Sequence, residues 1–135
     1  MYKRQVICGG TTAILAAREM KKQLESNKIS GNEIAPPGYK IEGINLVTEG
    51  IITMNQVYNL LDEESVASDE DSPVFELLEM LLMADRVNIF QGKSSNPAGA
   101  NIVYKQQGIL PRKKILHLIK EKLIEKGKLV VSYEY

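Results

Sequence analysis

A single cysteine, Cys8, and a single histidine, His117, are all that this chain of 135 residues offers to thiol or imidazole chemistry. One cysteine excludes a disulfide within the chain, and its place in the first apolar run reads as a small buried hydrophobe rather than a reactive thiol. One histidine, on the exposed flank of a helical pattern, leaves neither a histidine-ligated metal nor a Ser-His-Asp arrangement. Excess charge is lacking too, since 17 basic residues balance 17 acidic ones. No global field draws the chain to nucleic acid or to anionic lipid. No apolar h-region follows Met1, and the longest apolar runs, such as 77–84, are too short and interrupted to span a bilayer. The expectation is a cytoplasmic protein with neither nucleic acid nor membrane among its partners.

What is present is an alternation of strand and helix signals over one domain's length, and residues 1–135 read as a single α/β domain. Gln5 to Cys8 is a short apolar strand. It runs into Gly9-Gly10-Thr11-Thr12, a tight turn delivering bare N–H groups and two hydroxyls to a helix opening at Ala13. Ala13, Ala16, Ala17, Met20 and Leu24 give that helix an apolar face of helical period. Residues 27–39, dense in Gly, Pro, Ser and Asn, read as a surface loop.

A second strand over 41–48 ends in Thr48-Glu49-Gly50. The next helix spans 53–61, with Thr53 and Gln56 placed as a capping box. The segment 62–71 has six acidic residues in ten and reads as a solvated linker; it lacks the alternating oxygen ligands and mid-loop glycine of a calcium loop. Ser72-Pro73 then starts a helix that is apolar on most sides to Ala84. A third strand, 86–90, ends in Gln91-Gly92-Lys93 and is followed by a long polar loop containing Asn96. Pro111 opens the last helix, whose Arg112-Lys113-Lys114 puts cations at the positive end of the dipole. Gly127 closes it before a final strand.

The summed pattern predicts a Rossmann-like sandwich, with a mainly parallel sheet of about four strands and helices packed on it. In such a sheet the strand ends 9–12, 48–50 and 91–93 share one rim, the usual place for a ligand. The candidate ligand-binding residues are therefore Gly9, Gly10, Thr11, Thr12, Thr48, Glu49, Gly50, Lys93 and Asn96. No phosphate loop or dinucleotide fingerprint can be written over them, and the expected occupant is an anion or another small ligand, with no cofactor and no metal. Two alternatives stay open. One is an interaction or dimerisation module docking through 74–84 or 112–114. The other is a small hydrolase using Thr11 or Thr12 as nucleophile, since strand-end threonines resemble those of asparaginase-type amidohydrolases.

Taken together, residues 6–13, 43–53 and 84–90, with Gly92 and Asn96-Pro97-Ala98, resemble the C-terminal region of bacterial stage II sporulation protein E-like, PPM-type serine/threonine phosphatases. The likeness runs almost end to end, departing at Gly99-Ala100-Asn101, where relatives carry a more polar, histidine-containing run. Those phosphatases work through aspartates, several in Asp-Gly pairs, that hold two divalent ions. This chain has no Asp-Gly pair, and its aspartates are Asp62, Asp69, Asp71 and Asp85. What the resemblance implies is a non-catalytic regulatory domain, the C-terminal part of a longer chain whose phosphatase module is its partner.

Overall fold

The computed structural model describes residues 3–27, 38–61, 72–92 and 105–135. In chain order these form β1 (Val6–Cys8), α1 (Gly10–Met20), β2 (Glu25–Asn27), β3 (Gly38–Lys40), β4 (Leu46–Thr48) and α2 (Ile51–Leu60). There follow α3 (Pro73–Met83), β5 (Arg86–Gln91), α4 (Arg112–Glu125) and β6 (Leu129–Glu134). Lys93, Asn96, the acidic segment and the Gly99-Ala100-Asn101 departure lie outside the described residues.

The mixed α/β character is as expected, but a single mainly parallel sheet is not what forms. Sheet A has the strand order β1-β4-β3-β2, in which only β1 and β4 are parallel. Sheet B consists of β5 and β6, parallel over six residue pairs from Arg86 opposite Leu129 to Gln91 opposite Glu134. The reason lies at the two ends of the breaker-rich stretch. Glu25–Asn27 and Gly38–Lys40 pair antiparallel, and β3 then lies antiparallel to β4. That fills the edge of β4 on which a further parallel strand would have added, so β5 and β6 pair with each other.

Strand alternation sorts sheet A into two packing faces. Ile7 and Val47 point to one side, where they meet Ala13 and Ala17 of α1, with Ile41 and Tyr39. The small alanines let α1 lie close to the strands. Val6, Cys8 and Leu46 point to the other side, into the larger core. That core is built from Met54, Val57 and Leu61, from Val74, Leu77 and Leu78 of α3, and from Ile115, Ile119 and Leu123 of α4. Val87, Ile89 and Val130 bring one face of sheet B to the same core. Val74, Leu77 and Leu78 of α3 are buried inside the chain, whereas Leu82 and Met83 near its C-terminal end stay exposed.

One helix start and one helix end follow their sequence signals, and two starts do not. The Ser72 hydroxyl accepts from the Phe75 N–H at 3.3 Å, with Pro73 in the first turn of α3. Gly127 takes φ 84° just beyond α4, donating its N–H to the Ile124 carbonyl. However, α1 begins at Gly10 and α2 at Ile51, so Thr11, Thr12 and Thr53 are first-turn helical residues rather than turn or cap residues. Among the described residues, no helix is long and apolar enough to cross a membrane.

Candidate functional site

Because β1 and β4 are parallel neighbours, their C-terminal ends emerge side by side. The Gly9 N–H donates to the Thr48 carbonyl at 2.8 Å, and a Cβ placed on Gly50 would stand 3.3 Å from Gly9 Cα. The two βα turns are thus in backbone contact, and the candidate residues Gly9, Gly10, Thr11, Thr12, Thr48, Glu49 and Gly50 do share a rim. The third strand end, at Gln91, belongs to sheet B rather than sheet A, so the three ends do not lie along the edge of one sheet.

The two helix N-termini at this rim are differently filled. At α2, the Glu49 carboxylate turns back and accepts from the N–H groups of Ile52 at 3.0 Å and Thr53 at 3.2 Å. Its negative charge sits on the positive end of the helix and neutralises it. This replaces the expected Thr53–Gln56 capping box. At α1, Gly9 offers no side-chain cap, and the first turn carries no acid. Thr11 and Thr12 are exposed there, and the Thr12 hydroxyl lies 3.5 Å from where a Gly9 Cβ would be. The Tyr39 hydroxyl stands 3.6 Å from the corresponding position of Gly10, which completes a small polar lip.

Beneath the lip the chemistry is inert. Burial pushes the Cys8 thiol above its ordinary value; a hydrogen bond with Thr48 works against this, and the nearby Glu49 charge adds to it. A thiol held neutral is a poor nucleophile at neutral pH. The Thr48 hydroxyl is spent on the Glu49 carbonyl at 2.7 Å. Among the described residues, no basic side chain is hydrogen-bonded to Thr11 or Thr12, and no group of three His, Cys, Asp or Glu residues stands together.

Thr53 is fully buried and its Oγ1 has no hydrogen-bond partner. A helical threonine commonly bonds back to the carbonyl four residues earlier, here that of Glu49, but Thr53 makes no such bond. A buried hydroxyl without a partner carries a desolvation cost. Thr53→Val is therefore expected to raise stability by about 1 kcal/mol in urea unfolding. A loss of similar size would mean that the hydroxyl is engaged in solution.

Sequence reasoning missed Tyr39, placed inside the supposed loop, and Asn55. The Asn55 amide donates to the carbonyls of Ile51 at 2.9 Å and Leu110 at 3.0 Å, and its oxygen accepts from the Leu110 N–H at 2.9 Å. This ties the approach to α4 onto α2. A buried asparagine in mid-helix, a poor helix former, was the available signal.

The cations opening α4 are partly accounted for. Arg112 donates to the Gly92 carbonyl at 3.1 Å, holding the start of α4 to the end of β5. Lys113 lines an open groove of about 220 Å³ between α4 and sheet B, together with His117, Lys120, Gln91, Ser132 and Glu134. His117 is exposed and lies 3.0 Å from Glu121. Set against family models, curated proteins and solved structures, the chain finds no match in any of the three.

Proposed function

We propose that this chain is a non-catalytic, ligand-binding regulatory domain, acting in the cytoplasm alongside a stage II sporulation protein E-like phosphatase module, and that a small anion binds at the start of α1. The observation that carries the ligand reading is the asymmetry of the paired turns: α2 holds its own carboxylate, whereas α1 presents uncapped N–H groups flanked by the hydroxyls of Thr11 and Thr12. Glu49 spends its charge on α2, which lessens its repulsion of an anion next door. The phosphatase association is supported by the resemblance in residues 6–13, 43–53 and 84–90, with Gly92 and 96–98, and by nothing else.

The anion site is tested by amide NMR titration with inorganic phosphate, then nucleoside phosphates, with and without magnesium. The Gly10, Thr11 and Thr12 resonances should move saturably, while those of Gly127 stay still. Replacing both threonines with alanine should weaken binding by about tenfold, the equivalent of about 1.4 kcal/mol. Resonances of Thr11 and Thr12 that ignore every titrant would sink the site. Adding a purified phosphatase module of that type to the chain, with its metal-dependent activity as readout, tests the association separately.

A further inference from the structure

The outer face of sheet B is the one large feature that the anion site leaves unexplained. Alternation puts Val87, Ile89 and Val130 toward the core, so Arg86, Asn88 and Phe90 of β5 and Leu129, Val131 and Tyr133 of β6 share the opposite face. Tyr135 continues that row, its N–H donating to the Gln91 carbonyl at 3.0 Å. Phe90 is 66% exposed, Leu129 55%, Tyr133 38% and Tyr135 70%. The rings are organised: Phe90 stacks on Tyr133 with centroids 4.8 Å apart and planes 10° apart, and Tyr135 lies 6.3 Å from Phe90 at 16°. Parallel strands are ordinarily covered on both faces, and here the described residues pack on one.

We propose that this face binds the same face of a second copy of the chain, with the strands of the two copies antiparallel. The choice of occupant rests on how charge and rings are laid out. Among the described residues of the face, Arg86 alone carries a charged side chain. It stands at the start of the strands, its Nε donating to Asn88 Oδ1 at 3.2 Å, so it lies along the face. The aromatic cluster stands at the far end, about 13 Å away at 3.3 Å per residue. A two-fold axis lying in the interface, normal to the strands, sets each Arg86 over the rings of the other copy, with Asn88 and Val131 at the centre. A guanidinium over aromatic faces is attractive, whereas the axis parallel to the strands would set Arg86 against Arg86.

A single-stranded nucleic acid fits the face less well, because one cation cannot neutralise a run of phosphates. The apolar area available is on the order of 500 Å² per copy, giving an interface near the lower limit for a specific one. The dimer should accordingly be weak. This inference does not depend on the anion site, which lies on sheet A.

Sedimentation equilibrium of the full chain from micromolar to millimolar concentration should show a reversible monomer–dimer equilibrium with a dissociation constant between about 10 and 300 μM. Phe90→Glu should weaken it at least tenfold. Phe90→Ser, milder on the exposed face, should weaken it several-fold with an unchanged circular dichroism spectrum. Orientation is read by mild oxidation in a Cys8→Ala background. Arg86→Cys chains mixed with Tyr133→Cys chains should cross-link to each other, and Tyr133→Cys chains alone, which keep Arg86, should not. A chain that is monomeric at millimolar concentration, a dimer indifferent to Phe90, or cross-linking of Tyr133→Cys to itself would overturn the proposal. So would saturable binding of an oligouridylate that Phe90→Ser abolishes in a chain showing no dimer.

Discussion

Gly9→Ala is expected to lower stability by about 2 kcal/mol and to abolish anion binding at the start of α1, whereas Gly10→Ala changes stability by less than about 0.5 kcal/mol. The contrast separates backbone strain from lack of space. Gly9 sits at φ 127°, ψ 131°, a region essentially reserved for glycine, although a Cβ there would touch the Thr12 side chain only at ordinary distance. Gly10 is helical with ordinary φ, and its Cβ would meet the Tyr39 hydroxyl at 3.6 Å, also ordinary contact. Forcing Gly9 out of its conformation moves the N–H that bonds the Thr48 carbonyl and, with it, the backbone against which Gly50 is packed. Urea unfolding measures the stability difference, and a phosphate titration followed at Thr11 and Thr12 reads the site. Equal effects of the two alanine substitutions would show that crowding, not conformation, makes glycine necessary at this turn.

Asn55→Ala carries the other large expected effect, a destabilisation of about 2–3 kcal/mol. The side chain makes three hydrogen bonds, two of them to the backbone of a residue 55 positions away, and alanine would leave both the N–H and the carbonyl of Leu110 without that partner. Leu110 directly precedes Pro111 and α4, which supplies the core residues Ile115, Ile119 and Leu123. Loosening the tie should therefore raise amide exchange at Leu110 and through the first turn of α4 well before it does so in α3. Asn55→Asp should not rescue, because a carboxylate would face the Ile51 and Leu110 carbonyls that the amide now donates to. An exchange rate at Leu110 unaltered by Asn55→Ala would show that its N–H does not depend on this bond.

The strand-end glycines and threonines were legible because their signals are local. A short apolar strand followed by Gly9-Gly10 can be read without knowing its neighbours, and so can the Ser72-Pro73 start of α3. Lys113 and His117 of the α4 groove are equally visible in the sequence, but nothing nearby in sequence names the Gln91 and Ser132 that face them. Glu49 reads in the sequence as a candidate ligand contact, and in the structure its carboxylate caps α2, a direction that no local signal gives. The sheet arrangement was least legible, because two three-residue strands, Glu25–Asn27 and Gly38–Lys40, carry almost no periodic signal of their own.

Local sequence sets the helices and the four apolar strands, though not β2 and β3, and it sets which chemistry is on offer: one thiol, one imidazole, balanced charge and glycine-threonine turns. Those follow from local backbone preference and composition, which act over a few residues. Tertiary structure alone decided that β3 occupies the edge of β4, that Glu49 serves α2 and leaves α1 open, and that Phe90, Tyr133 and Tyr135 gather on an uncovered face. Each of these is a competition between distant groups for one edge, one helix end or one surface, and such competitions are settled by whole-chain packing, to which a window of neighbouring residues is blind.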